Sequence, residues 1–235
     1  MSPSPEFHIA PYDPARHLEG CTEALRSAFS HNHWPAWQCA SPRMASDFTA
    51  LLASISDLNF VIEDKATGAA RGQVFCMAPA AKGQLARGFW PFAKLGGQFF
   101  TGLYLPRMTA IRHLLGIGRG YAGLFKDHPS NDPHFEVVLF AIHESMQGKG
   151  WGRRLMDAAV EKFSERGAEK AILMTDSTMS WQFYERYGYK RILTSPMGGA
   201  YKVAMDSDHE DAYIYEVDVK EACERIAHTR AARGE

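Results

Sequence analysis

Apolar and polar positions change period several times along the chain, and each change marks an element. After an unpatterned start, Met1 to Pro5, the stretch Phe7 to Ala10 reads as a first strand. From Asp13-Pro14 the period becomes helical: Leu18, Cys21, Leu25, Ala28 and Phe29 share one face. Asp13 suits the N-cap, and Pro14 the first helical position, where its missing N–H costs nothing. His31 to Trp37 breaks the pattern. A second helix is expected over Pro42 to Ile55, with Met44, Phe48, Leu51, Leu52 and Ile55 on its apolar face. Leu58–Asp64 and Arg71–Ala78 are strand-length runs across the turn Lys65 to Gly68, which predicts a hairpin. Val137 to Ile142 is a nearly unbroken apolar run bounded by polar residues, the pattern of a strand buried on both faces. The polar loop His143 to Met146 follows, and then Leu155, Met156, Ala159, Val160 and Phe163 return to helical spacing. Beyond them the pattern predicts a strand over Ala168–Thr175, a short helix within Ser180–Tyr189 and a strand over Lys190–Leu193. Met197–Asp211 reads as a long connection, Ala212–Val219 as an alternating strand and Lys220–Ala232 as a basic helix.

Residues Pro79 to Pro133 stand apart, rich in glycine and aromatics. Their apolar spacing predicts helices over Pro91–Phe100 and Pro106–Leu115. Unstructured loops of this length are uncommon in compact domains, so this insert is expected to be ordered. Its Phe89, Trp90, Phe92, Phe99, Phe100 and Tyr104 suit packing against the core or a second subunit.

Between the core strand and its helix lies Gln147-Gly148-Lys149-Gly150-Trp151-Gly152. The first amides of a helix have no intrahelical partner, and the helix dipole adds positive charge there. Glycines let an anion approach the backbone, and Lys149, Arg153 and Arg154 add charge, so this loop can hold phosphate. It is not a G-x-x-x-x-G-K-[ST] loop, because no Ser or Thr follows Lys149. Nor is it G-x-G-x-x-G, since the sixth positions are Arg153 and Leu155.

The pattern that fits is Q-x-x-G-x-G, carried by Gln147, Gly150 and Gly152. Downstream, Phe183-Tyr184 and Gly188-Tyr189 fit [LF]-Y-x-x-x-G-[FY] at the end of the short helix. Together these motifs resemble the GNAT superfamily of acyl-coenzyme A-dependent N-acyltransferases, over roughly residues 134–193. The resemblance implies an α/β fold with a central mixed, mostly antiparallel sheet flanked by helices. Here that fold would be one domain over residues 1–235, with a helical insert at about 79–133 before the core strand. It implies acetyl-CoA as co-substrate, no metal, and an N-acetyltransferase in which a primary amine of a small molecule or peptide attacks directly. By the same resemblance, coenzyme A would contact the backbone of Phe140, Ala141 and Ile142. The loop Gln147, Gly148, Lys149, Gly150, Trp151, Gly152 and Arg153, and Ser177, Ser180, Phe183 and Tyr184, would complete the contact.

Such a reaction needs a base for the amine, donors for the oxyanion and an acid for the leaving thiolate. Tyr184, at the family's tyrosine position, is the candidate acid, and the amides of Phe140 and Ile142 are the candidate donors. Glu136 is the candidate base, at the spacing before Gln147 that the histone-acetylating branch uses; partial burial would raise its pKa toward neutrality. His134 and His143 are fallback bases. Ser177 and Ser180 stand where many members have Asn and Ala, which leaves open a coenzyme A-binding module without transferase activity. The family's acceptor pocket maps to Trp34 and Trp37, with His31, His33 and the Met197–Asp211 loop; the two tryptophans could equally anchor the core.

Composition narrows the setting rather than the chemistry. Of 235 residues, 46% are hydrophobic and 23% charged, the balance of an ordinary globular domain, with net charge −1 and no basic stripe for nucleic acid. Cys21, Cys39, Cys76 and Cys223 are scattered without a C-x-x-C pair, so reduced thiols in a cytoplasm are expected. The N-terminus lacks a signal-peptide pattern, and the most apolar stretch, Phe89 to Leu105, is broken by glycines, Pro91 and Lys94, so no membrane partner is expected.

Overall fold

The computed structural model describes residues 6–30, 42–79, 93, 124, 134–196 and 211–234. Its elements are β1 (Phe7–Pro11), α1 (Pro14–Ser30), α2 (Pro42–Ile55), β2 (Leu58–Asp64), β3 (Ala70–Met77) and β4 (Phe135–Ile142). They continue with α3 (Trp151–Glu165), β5 (Lys170–Asp176), α4 (Trp181–Tyr187), β6 (Lys190–Pro196), β7 (Asp211–Asp218) and α5 (Val219–Arg233). A 3₁₀ turn, Glu144–Met146, joins β4 to the glycine loop. The seven strands form one sheet in the order β1-β2-β3-β4-β5-β7-β6. Every neighbouring pair is antiparallel except β4–β5, which is parallel.

Each face of the sheet buries its own cluster. On one side Leu155, Met156, Ala159, Val160 and Phe163 of α3 and Ile226 of α5 pack on Val74, Val137, Leu173 and Tyr215. On the other, Cys21 and Leu25 of α1, Met44 and Ala45 of α2 and Leu124 pack on Val61, Phe75, Leu139 and Ile214. Helix α1 can lie close to the sheet because of Gly20, where a Cβ would stand 2.4 Å from the Ala70 carbonyl oxygen. It is also tied down by a buried polar link. His17 Nδ1 accepts the Asp13 N–H at 2.8 Å, so its Nε2 carries the proton and donates to Glu63 Oε2 at 2.6 Å, with Arg16 at 3.1 Å from the same oxygen. Burial pushes the Glu63 carboxyl up, but the His17 hydrogen bond and the Arg16 charge outweigh it and hold it below its ordinary value. At the N-terminus of α1, Asp13 Oδ1 accepts the Ala15 N–H at 2.9 Å, as an N-cap does.

The order and type of the expected elements hold among the described residues. β4 is buried on both faces, as its unbroken apolar run predicts: Val137 and Ile142 join the α3 cluster, and Leu139 and Ala141 the α1/α2 cluster. Phe135, Val137, Leu139 and Ala141 are buried, whereas Glu136, Val138 and Phe140 are only partly covered. The partly covered residues line a cleft. The expected insert helices, Pro91–Phe100 and Pro106–Leu115, lie outside the described residues; within the insert, Leu124 is buried in the α1/α2 cluster. Among the described residues no helix is long and apolar enough to cross a membrane.

Candidate active site

The site begins with a divergence of two strands. β4 and β5 pair through Phe135↔Ala171, Glu136↔Ile172 and Val137↔Leu173, and there the pairing stops. β5 continues against β7 through Met174, Thr175 and Asp176, while β4 continues against β3 to Ile142. Residues 138–142 therefore have no β5 partner, and a wedge opens between the strands. The His143 N–H donates to Arg71 on β3 at 3.0 Å. By alternation, the N–H groups of Ile142 and Phe140 point the other way, into the wedge.

A bulge sets what enters the wedge. Phe75 lies opposite Leu139, yet Cys76 lies opposite Val137, so Val138 is the extra residue of β4. The bulge reverses the alternation. Phe140 and Ile142 face the α3 side with Val137, whereas Glu136 shares the α1/α2 side with Leu139, Ala141 and its parallel neighbour Ile172. The Glu136 carboxylate has no hydrogen-bond or ion-pair partner among the described residues. Burial alone pushes it up to about 7.

The glycine loop closes one mouth of the wedge. Gly148 and Gly150 adopt φ of 70° and 81°, conformations that L side chains rarely take, and a Cβ at either would meet nothing within 4 Å. Gly152 sits at the first turn of α3, where a Cβ would lie 3.5 Å from Phe140 and 3.6 Å from Phe183. The first intrahelical bond runs from the Arg154 N–H to Gly150 at 3.2 Å, so the amides of Trp151, Gly152 and Arg153 precede the ladder and face the open space. Gln147 Nε2 donates to the Ile142 carbonyl at 3.2 Å and ties the loop to the strand end. This open, amide-lined cradle beside a free strand edge fits the pyrophosphate and amide-bearing arm of coenzyme A.

The cleft has a volume of about 720 Å³ and gathers Glu136 through Ile142, Gln147, Gly148, Gly150, Gly152, Arg153, Ser180, Phe183 and Tyr184. Phe140 stacks on Phe183 at 5.2 Å with the planes 15° apart, and Tyr184 meets Phe140 edge-on at 6.2 Å. The Tyr184 hydroxyl has no partner among the described residues. Burial, helped by the Asp176 charge, raises it above the ordinary phenol range.

Three expected contacts are not brought into the cleft. Lys149 is exposed on the loop. Trp151 turns toward β1, meeting Phe7 edge-on at 5.9 Å, with Arg154 over its ring at 5.1 Å. Ser177 Oγ accepts the Asp211 N–H at 3.3 Å and holds β5 to β7. The acceptor residues Trp34 and Trp37, with His31 and His33 and residues 197–210, lie outside the described residues. His143 caps the 3₁₀ turn, its Nδ1 accepting from Ser145 N–H at 3.2 Å. Sequence reasoning missed Arg186, and it missed that Phe29, Phe48, Leu52, Met174 and Met179 line the cleft. The helical stripes of α1 and α2 carried a signal for the first three, but an apolar stripe reads as core until its partner surface is known.

The model of the acetyltransferase (GNAT) family matches residues 119–189. No curated protein matches the sequence. Among solved structures the chain is similar to a candidate phosphinothricin N-acetyltransferase, at 14% identity and a TM-score of 0.55 over 91% of this chain and 98% of that one. It is similar to the histone acetyltransferase HPA2 and related acetyltransferase from Corynebacterium glutamicum, at 17% identity and a TM-score of 0.54 over 90% and 96%. A candidate GNAT-family acetyltransferase from Desulfovibrio desulfuricans aligns at 12% identity and 0.51 over 91% and 98%. The mixed sheet flanked by helices is the fold these proteins share. The chain thus has the GNAT fold, and its residues 119–189 match the family's model.

Proposed function

We propose that the protein transfers an acetyl group from acetyl-CoA to the primary amine of a small molecule or peptide by direct attack. One observation carries this reading. A carboxylate, Glu136, and a phenol, Tyr184, each without a polar partner among the described residues, line one cleft but belong to opposite faces of the sheet, on either side of the β4/β5 wedge. Acetyl-CoA, when bound, supplies an acyl group activated as a thioester.

The chain's own residues do the rest. The glycine-loop amides and Arg153 hold the anionic end, and the free edge of β4 orients the arm. Glu136, with its pKa near 7, takes a proton from the incoming ammonium, leaving a lone pair on nitrogen for the new N–C bond. The N–H groups of Phe140 and Ile142 donate to the oxygen that becomes negative. As the C–S bond breaks, the sulfur takes its electron pair and the Tyr184 proton, and the phenolate regains a proton from the nitrogen, which becomes a neutral amide. Burial keeps that phenol protonated at working pH and weakens it as an acid; the same dry surroundings make the departing thiolate more basic, which restores the match.

The test is thiol release from acetyl-CoA with a panel of primary amines, with the product checked by the added mass of one acetyl group. Calorimetric binding of coenzyme A without thiol release from any amine would favour a coenzyme A-binding module instead.

A further inference from the structure

The two mouths of the wedge differ in charge and polarity, and the difference speaks to the acceptor. We infer that the acceptor is a monoamine carried on an apolar body, such as an aralkyl- or alkylamine, and not a polycation; this rests on the acyl-transfer reading above. The bulge at Val138 aims Glu136 to the α1/α2 side of the sheet. On that side the cleft is walled by Leu25 and Phe29 of α1, Phe48 and Leu52 of α2, and Met174 and Met179 around the end of β5. Among the described residues that line the cleft, Glu136 is the one acid, and the two cations, Arg153 and Arg186, stand on α3 and α4 beside the loop.

One carboxylate set in an aliphatic and aromatic wall complements one ammonium with hydrocarbon behind it. A second or third ammonium would be stripped of water against Phe48, Leu52 or Met174 with no counter-charge among the described residues, which is strongly unfavourable. The two methionines are unbranched and polarisable, so the wall can adapt to more than one apolar shape. The arginines opposite repel a polycation further and suit the anionic end of coenzyme A.

The experiment uses the whole protein with acetyl-CoA and measures kcat/KM by thiol release. A series of butylamine, pentylamine, hexylamine and phenethylamine is run beside spermidine and a multiply charged aminoglycoside. The expected result is a rise of about fourfold per added methylene while the chain fills the wall, from about 0.8 kcal/mol per buried CH₂. Hexylamine should exceed spermidine by at least about 100-fold. A second arm places an acid in the wall: Leu52→Asp, at a partly exposed position, should lower kcat/KM for hexylamine and raise it for the diamine cadaverine. Spermidine or the aminoglycoside matching hexylamine, or a flat alkyl series, would overturn the inference and leave acyl transfer standing. No thiol release from any amine, with coenzyme A binding intact by calorimetry, would overturn the transfer reading and this inference with it.

Discussion

Replacing Glu136 with Gln should make the protein more stable and nearly inactive, each with its own pH signature. In the wild-type fold burial moves this carboxyl from 4.5 to about 7. Each tenfold change in proton affinity is worth about 1.4 kcal/mol, so holding the charge at Glu136 costs at most about 3 kcal/mol, less whatever water in the open cleft screens. The sign follows from proton counting. Between 4.5 and about 7 the native state keeps a proton that the unfolded chain has lost, so the contribution of this group falls as pH rises through that window and then levels off. Glu136→Gln removes the dependence. The stability gain over wild type should be near zero below pH 4.5, grow up to about 7, and level off above it at no more than about 3 kcal/mol. For a domain of this size that is at most about 6–12 °C in Tm at pH 8. Urea titrations from pH 4 to 9 on both proteins measure it, and kcat/KM over the same range gives the functional half. Wild type should lose rate below about pH 7 as the base protonates, and the variant should lack that limb and run about 10²–10⁴ slower where wild type is fastest. A stability difference that does not change with pH would refute the buried, unpaired carboxylate. An unchanged acidic limb in the variant would refute Glu136 as the base.

Three further outcomes follow from the same geometry. Tyr184→Phe removes a hydroxyl without a partner among the described residues and keeps the ring on Phe140 and Phe183, so turnover should fall by about 10²–10⁴ while the calorimetric affinity for coenzyme A stays the same. Gly150→Ala puts a methyl group into the cradle at a φ of 81°; coenzyme A affinity should drop, and urea titration should show a loss of about 1–2 kcal/mol. His17→Ala leaves Glu63 buried with only partial compensation from Arg16, and should destabilise by about 3–5 kcal/mol at neutral pH. Because Glu63 is held below its ordinary value, the deficit should shrink as pH falls through that range, read by urea titration.

The stretch from β4 to α4 was legible because its signals are local. A left-handed glycine, a run of free amides at a helix start and a change of period from strand to helix all lie within a few residues of one another. The same holds for Asp13 and Pro14 at the start of α1. The face of Glu136 was not legible that way. Strict alternation would put it with Val138 and Phe140, and only the pairing of β4 with β3, which leaves Val138 unmatched, turns it toward α1 and α2. Ser177 shows the opposite case: its motif position suggested a ligand contact, yet β7 returns beside β5 and the Asp211 amide takes its hydroxyl.

By itself, then, the sequence determined the described elements, their order, the glycine loop at the start of α3 and the fold they point to, because each depends on residues that touch along the chain. Tertiary structure alone decided that β4 and β5 part after Val137, that the bulge aims the carboxylate through the sheet, and that helical stripes from α1 and α2 serve as one wall of a cleft rather than sealed core. Those features depend on strands and helices far apart in sequence coming together, and side-chain periodicity within one segment carries no record of what will be opposite it.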